Sequence, residues 1–173
     1  MRTLAVALAV LALGTASTQA QPPGADQVLA PVKAKAASEQ KAIFVHFGAS
    51  WCSWCRRLDA FLDRPDIKPV FEKYFIPVKL VVQEDAKHKA LENPGADALL
   101  QKFGGPDGLP YSAFVDGQGS LIVNSKHNGQ NIGYPGEPKE IDWFVQMMRK
   151  AAPGMSPADL KIIETALRDF KAS

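Results

Sequence analysis

Two cysteines, Cys52 and Cys55, are the residues of this sequence whose type and spacing best suit covalent chemistry. They stand where an apolar, β-branched run at residues 42–47 gives way to a segment of helical composition at 56–62. A thiol at the start of a helix faces unpaired N–H groups and the positive end of the helix dipole, which favour the thiolate. The pair therefore predicts thiol–disulfide exchange. Cys52 would attack because it lies closer to the exposed loop, and Cys55 would resolve the mixed disulfide.

Other uses of two cysteines lead to different functions. A structural disulfide across so short a loop would stabilise the fold by only about 2 kcal/mol, less than one across a long loop. A non-enzymatic copper or zinc carrier stays open as the alternative function, with His46, His88 or His127 completing the ligand set. Covalent haem attachment is excluded because Arg56, not histidine, follows the second cysteine.

The elements that would position the cysteines alternate between strand and helix. A strand, a helix and a second strand in succession predict a parallel pair, and a later hairpin adds antiparallel strands. We therefore expect an α/β fold with a mixed four-stranded sheet flanked by helices and an extra C-terminal helix. Asp26 and Asn93 are candidate N-caps, and Pro77 indicates an irregular or edge strand. The predicted elements are helices at 26–40, 56–62, 70–74, 93–103, 138–150 and 157–170, strands at 42–47 and 75–82, and hairpin arms at 111–116 and 120–124.

The first 20 residues have the pattern of a signal peptide. A positive start is followed by an unbroken apolar run at residues 4–13, then by small and polar residues up to Ala20. A membrane anchor would need about 20 apolar residues. We expect export, to the periplasm, with no membrane span after cleavage. The remaining chain would divide into a domain at 21–150 and a C-terminal helical extension at 151–173.

The charge balance and cysteine content exclude two classes of protein. Twenty basic and 18 acidic residues give a net charge of +2, without long runs of either sign. The sequence thus lacks the basic patch of a nucleic-acid-binding protein. With two cysteines, the chain is not a disulfide-stapled miniprotein, so its core must come from apolar residues. We expect a monomer.

Two motifs resemble a known family. Residues 44–56, FVHFGASWCSWCR, closely resemble the strand, tryptophan and active-site cysteine pair of thioredoxins, and residues 108–111, GLPY, resemble the cis-proline loop of that family. The resemblance covers roughly residues 40–149. Within the family, the sequence is similar to exported bacterial thioredoxin-like proteins and to the periplasmic domain of the transmembrane disulfide reductase. It implies a thioredoxin-like fold and thiol–disulfide oxidoreductase activity without a bound cofactor. It also implies protein thiols or disulfides as substrates and a redox partner protein, with reduction favoured over oxidation.

The resemblance also implies roles for residues around the cysteines. Trp51 would shield the first thiol, and Pro110 would follow a cis bond and lie against the disulfide. Leu109, which precedes that proline, would be oriented to pair with a substrate peptide. Trp54 replaces a residue common in the family, and it is either a lid, a substrate contact or a packing aromatic.

His46 departs from the family pattern. Thioredoxins place a buried aspartate six residues before the first cysteine, and His46 occupies that position. A neutral imidazole there could accept the proton of Cys55, or it could be a packed core residue; both interpretations stay open. His88 and His127 lie in polar segments where we expect solvation. The segment 124–136 is long for a connection, and it is either a wall of the substrate groove or a surface insertion.

Overall fold

A computed structural model describes residues 21–105 and 107–170. The expected signal peptide at 1–20 lies outside these residues. Among the helices in the described ranges, none has both the length and the apolar character needed to cross a membrane.

The described chain alternates helices and strands much as the sequence predicts. The elements are α1 (Ala25–Glu39), β1 (Ala42–Gly48), α2 (Ser53–Leu62), α3 (Lys68–Glu72), β2 (Phe75–Val81), a 3-10 turn (Lys89–Leu91), α4 (Ala96–Lys102), β3 (Tyr111–Val115), β4 (Leu121–Asn124), β5 (Lys126–His127), β6 (Gln130–Asn131), α5 (Pro138–Ala151) and α6 (Pro157–Asp169).

A mixed four-stranded sheet in the order β2-β1-β3-β4 forms the centre of the fold. Strand β1 pairs in parallel with β2 and antiparallel with β3, and β4 pairs antiparallel with β3. All seven residues of β1 are buried, as expected for a central strand covered by helices on both faces. Pro77 lies in β2 at the edge of the sheet, where a missing N–H costs no ladder hydrogen bond. The predicted fold class is confirmed.

Alternating residues of β1 face two separate apolar clusters. Ile43, Val45 and Phe47 pack with residues of α1 and α4. Phe44 faces the other way and joins a cluster with residues of α2, α3, α5 and α6. His46 has the same parity as Phe44, and its ring stacks on that phenylalanine with the centroids 5.8 Å apart. The imidazole is therefore on the face of the sheet that α2 covers.

Two predicted N-caps are wrong, for local reasons. Helix α1 begins after Gly24, whose N–H donates to the side chain of Gln27 at 2.9 Å, so Asp26 lies in the first turn. The side chain of Asn93 is used elsewhere, because its Oδ1 accepts from the Val81 N–H at 2.7 Å. Gly95 instead precedes α4, with a φ of 82° that glycine adopts without strain.

Candidate active site

The cysteine pair lies at the junction of β1 and α2, as the sequence predicts. Cys52 is the N-cap of α2, and Cys55 is in its first turn. The two form a disulfide with a Cα–Cα distance of 5.3 Å. The Cys55 N–H donates to Cys52 Sγ at 3.1 Å, so one of the unpaired donors of the helix start is directed at the first sulfur. This is the environment that stabilises a thiolate.

A glycine lets the disulfide pack closely against the sheet. A Cβ on Gly48, at the end of β1, would lie 3.1 Å from both Cβ and Sγ of Cys55. Cys55 is fully buried and Cys52 is 3% exposed. Cys52 is therefore the sulfur-bearing residue nearer to solvent, on the side where a substrate would approach.

Polar contacts hold the loop between β1 and α2. The carboxylate of the buried residue Glu84 accepts from the Ser50 N–H at 2.6 Å and from the Ser50 hydroxyl at 2.7 Å. Arg56 donates to the Ser50 carbonyl at 2.8 Å. Glu84 is a site residue that was not predicted from the sequence. The contact depends on β2 ending beside β1, where the Val82 N–H donates to the Gly48 carbonyl at 2.9 Å.

The two tryptophans beside the cysteines are both exposed. Trp51 is 55% exposed, and its Nε1 donates to the Gln83 carbonyl at 2.8 Å. Trp54 is 53% exposed and stacks on Tyr134, with the ring centroids 6.0 Å apart. The Arg57 guanidinium lies over both rings of that stack, 5.4 Å and 4.9 Å from their centroids. Trp54 is therefore a fixed surface feature beside the disulfide and not a core aromatic.

The loop before β3 contacts the cysteines. The Leu109–Pro110 peptide bond is cis, as the resemblance predicts. Leu109 packs against the small cluster formed by Ala49, Cys52 and Cys55. The structure thus brings two segments together that are more than 50 residues apart in sequence.

A depression of about 320 Å³ lies next to the disulfide. Trp54 and Leu109 line the side nearest the cysteines. The far side is lined by Ile132, Gly133 and Tyr134, so the long segment at 124–136 supplies one wall. Within that segment the structure contains the short hairpin β5–β6, which the sequence analysis did not predict. Two-residue strands carry too little periodicity to be recognised.

His46 is buried beneath this site, and two charged side chains that are partly exposed lie next to it. Its Nε2 lies 3.5 Å from Oδ1 of Asp59 in α2, and Lys79 pairs with the same carboxylate. Burial lowers the pKa of His46 to about 4, while the Asp59 charge raises it and the Lys79 charge lowers it. The imidazole is therefore neutral at neutral pH. Its Nδ1 is buried and has no hydrogen-bond partner among the described residues.

These three side chains line a cavity of about 330 Å³ at the side of the sheet. Neither Asp59 nor Lys79 was predicted from the sequence. Asp59 follows Cys55 by four residues, which is the spacing that places two side chains on one face of a helix. The sequence therefore did indicate that Asp59 lies on the same face of α2 as Cys55. Lys79 is the register partner of His46 across the β1–β2 pair, which no local pattern shows.

The other two histidines lie apart from the cysteines. His88 is exposed and contacts Asp85, with its Nδ1 2.9 Å from Oδ1, as expected for a solvated residue. His127 is partly buried because its ring packs on Trp143, with the centroids 4.7 Å apart, so it is less solvated than the sequence predicts. In the described part of the chain, no three His, Cys, Asp or Glu side chains are grouped so that they could hold a metal ion.

Comparisons with solved structures returned several proteins of similar size. The disulphide isomerase from Xylella fastidiosa Temecula1 is 21% identical, with 86% of this chain and 96% of that chain covered and a TM-score of 0.47. The oxidised C-terminal domain of DsbD from Neisseria meningitidis is 21% identical, with coverages of 74% and 99% and a TM-score of 0.47. The exposed lipoprotein thioredoxin Etrx1 from Streptococcus pneumoniae is 22% identical, with coverages of 75% and 97% and a TM-score of 0.45.

The family comparison is more specific than these structural similarities. No curated protein sequence matches the chain significantly. The family model described as thioredoxin-like matches residues 26–117, which is more than half of the chain and includes the cysteine pair and the Leu109–Pro110 bond. The chain therefore belongs to the thioredoxin-like family.

Proposed function

We propose that this protein catalyses thiol–disulfide exchange on protein substrates through Cys52 and Cys55. The observation that carries the proposal is the position of Cys52 as the N-cap of α2, with the Cys55 N–H directed at its sulfur. When the disulfide is reduced, the same donor and the helix dipole stabilise a thiolate on Cys52. An attacking cysteine needs a stabilised thiolate, and Cys52 is the more exposed of the two cysteines.

The exchange proceeds in two balanced steps. The Cys52 thiolate attacks one sulfur of a substrate disulfide, which forms a mixed disulfide and releases one substrate thiolate. Cys55 then loses its proton and attacks the Cys52 sulfur, which restores the Cys52–Cys55 disulfide and releases the second substrate thiolate. Two electrons pass from the protein to the substrate, and a redox partner protein must reduce the pair again. We favour this reducing direction over the reverse oxidation.

The surface beside Cys52 suits an extended protein segment. Trp51 and Trp54 expose apolar ring area on either side of the first cysteine, and tryptophan is enriched in binding surfaces because one large rigid group buries much area. The depression between Trp54 and Leu109 adds further apolar side chains to this surface, together with the carboxylates of Glu137 and Glu140. We assign substrate docking to these residues, with Leu109 and Pro110 on the face that meets the substrate backbone.

We propose that His46 accepts the proton that Cys55 must lose. The neutral imidazole has a free buried Nδ1 lone pair when its Nε2 proton faces Asp59. In stopped-flow measurements, His46→Ala should slow release of the mixed disulfide about tenfold or more while leaving attack by Cys52 largely unchanged. An unchanged release rate in a folded variant would show that His46 only fills the core.

We also propose that the protein works outside the cytoplasm, in the periplasm, as a monomer. The signal-like pattern of residues 1–20 supports export. Mass spectrometry of the protein recovered from a periplasmic fraction should show a chain that begins at Gln21. A chain that retains Met1 or is found in the cytoplasm would contradict this part of the proposal.

A turnover assay tests the activity itself. Residues 21–173, supplied with dithiothreitol, should accelerate the reduction of a fluorescent disulfide-bonded peptide over dithiothreitol alone. Cys52→Ser should abolish the acceleration, whereas Ser53→Ala changes a neighbouring exposed residue and should retain it. A rate equal to that of dithiothreitol alone for the wild-type protein would refute the proposed function.

A further inference from the structure

Asn131 in β6 joins the long segment to the proline loop. Its Nδ2 donates to the Gly108 carbonyl at 2.9 Å and to the Pro110 carbonyl at 3.0 Å. These two carbonyls flank Leu109, the residue that packs against the cysteines. A single side-chain amide therefore spans the backbone of the loop beside the disulfide.

The other end of the same side chain is also fixed. Oδ1 of Asn131 accepts from the Ser125 hydroxyl at 2.6 Å and from the Gly133 N–H at 3.2 Å. Ser125 is fully buried, and its Oγ accepts from the Ser112 N–H in β3 at 3.0 Å. The Asn131 amide thus uses both of its donors and both acceptor positions. This network also fixes the orientation of the amide, because a flipped group would face carbonyls with its oxygen.

The loop between α4 and β3 that Asn131 holds contains two glycines with positive φ. Gly104 and Gly108 both have positive φ, at 96° and 101°, and glycine loses more conformational freedom on ordering than other residues. A side chain that binds two carbonyls of this loop limits the conformations that Leu109 can sample. Ile132 and Gly133, which line the far side of the depression, follow Asn131 directly in the sequence. The hydrogen bonds of Asn131 therefore also set the distance between these two residues and the loop.

We propose that Asn131 is a positioning residue that holds the Leu109–Pro110 loop against the disulfide and in register with the opposite wall of the depression. The effect of this positioning on substrate binding rests on the proposed function. A loop that is already ordered spares an incoming protein segment the entropic cost of ordering it. A small thiol reagent that reacts with the disulfide directly does not need the loop. Asn131 thus acts on substrate binding and not on the chemistry of the cysteines.

A matched pair of variants tests this assignment. Asn131→Asp keeps the size and acceptors of the side chain but removes both N–H donors, and Asn128→Asp makes the same change at the exposed turn of the hairpin. We expect Asn131→Asp to raise KM for the disulfide-bonded peptide roughly tenfold, the equivalent of about one net hydrogen bond. The rate of reduction of its own disulfide by dithiothreitol should stay within about twofold. Asn128→Asp should change neither quantity.

A second measurement does not depend on enzymatic activity. The ¹⁵N order parameter of the Leu109 amide should fall in Asn131→Asp and in Asn131→Ala, and it should stay unchanged in Asn128→Asp. A fall in the order parameter without turnover by the wild-type protein would support the positioning role while refuting the proposed function. An unchanged order parameter, or an unchanged KM in a wild-type protein that does turn over the peptide, would overturn the assignment.

Discussion

His46 shows how a single buried residue can change the electrostatics of the site. A carboxylate at this position would place a negative charge in the core, which costs several kcal/mol unless it is paired. The imidazole avoids this cost because it is neutral, and the negative charge lies on Asp59 at the cavity, where Lys79 pairs with it. The negative charge thus lies on helix α2 and not on strand β1, and the neutral imidazole lies beside it.

The lowered pKa of His46 predicts a pH-dependent stability. The unfolded chain takes up a proton at this histidine near pH 6.5, whereas the folded protein does so only near pH 4. The free energy of unfolding should therefore fall by about 2–3 kcal/mol as the pH drops from 7.5 to 4.5. Urea unfolding at the two pH values measures this loss. His46→Gln should remove most of it, and His88→Gln, a change at an exposed histidine, should retain it. Equal pH dependence in both variants would contradict the buried neutral state.

Local motifs predict some of these residues and not others. Cys52 and Cys55 could be predicted because their role depends on a short stretch of sequence, whereas the cis bond before Pro110 was predicted only from the resemblance to a known family. Glu84 and Asn131 could not, because their partners come from other strands and loops. Their contacts exist only once the sheet has brought those segments together.

At the scale of elements, the junction of β1 and α2 determines where the disulfide lies. A glycine at the end of β1 suits this junction, since the helix start brings Cys55 so close that a Cβ on Gly48 would be crowded. The sequence indicates this junction clearly, through an apolar strand that runs into a helix. It does not indicate the hairpin β5–β6, whose strands are fixed by the Ser125 and Asn131 contacts rather than by apolar alternation.

Gly48→Ala tests the close packing at this junction. The added Cβ would lie 3.1 Å from Cys55, and this crowding should lower the free energy of unfolding of the oxidised protein by about 1–3 kcal/mol. Gly154→Ala is the matched control, because a Cβ there meets no atom within 4 Å, and its effect should stay within about 0.5 kcal/mol. Denaturant unfolding of both variants measures the difference. If the two variants are equally stable, β1 and α2 are not packed as described.

At the scale of the whole molecule, α6 shares the apolar cluster of the central sheet. Leu160, Ile163 and Leu167 are buried in the same cluster as Phe44 of β1. The Phe170 carbonyl, just beyond α6, accepts from Arg57 of α2 at 2.7 Å. The sequence predicts this helix, but the predicted domain boundary at residue 150 separates it from the rest of the fold. We propose that the extension folds together with the domain as one cooperative unit.

Two adjacent isoleucines in α6 test this cooperative unit. Ile163 is fully buried, and its replacement by alanine should cost about 2–5 kcal/mol in a single unfolding transition that includes the sheet. Ile162 is 43% exposed, and Ile162→Ala should cost no more than about 0.5 kcal/mol. Circular dichroism and tryptophan fluorescence should give the same midpoint for each variant. A separate low-stability transition in Ile163→Ala would show that the extension folds independently.

The most direct test of the central claim is to trap the mixed disulfide. Cys55→Ser removes the resolving thiol, so incubation with a disulfide-bonded peptide should yield a covalent adduct joined through Cys52, identified by tandem mass spectrometry. Cys52→Ser should form no such adduct at pH 7, since Cys55 is fully buried. Trapping through Cys55, or equal adduct formation by both variants, would contradict the assignment of Cys52 as the attacking thiol.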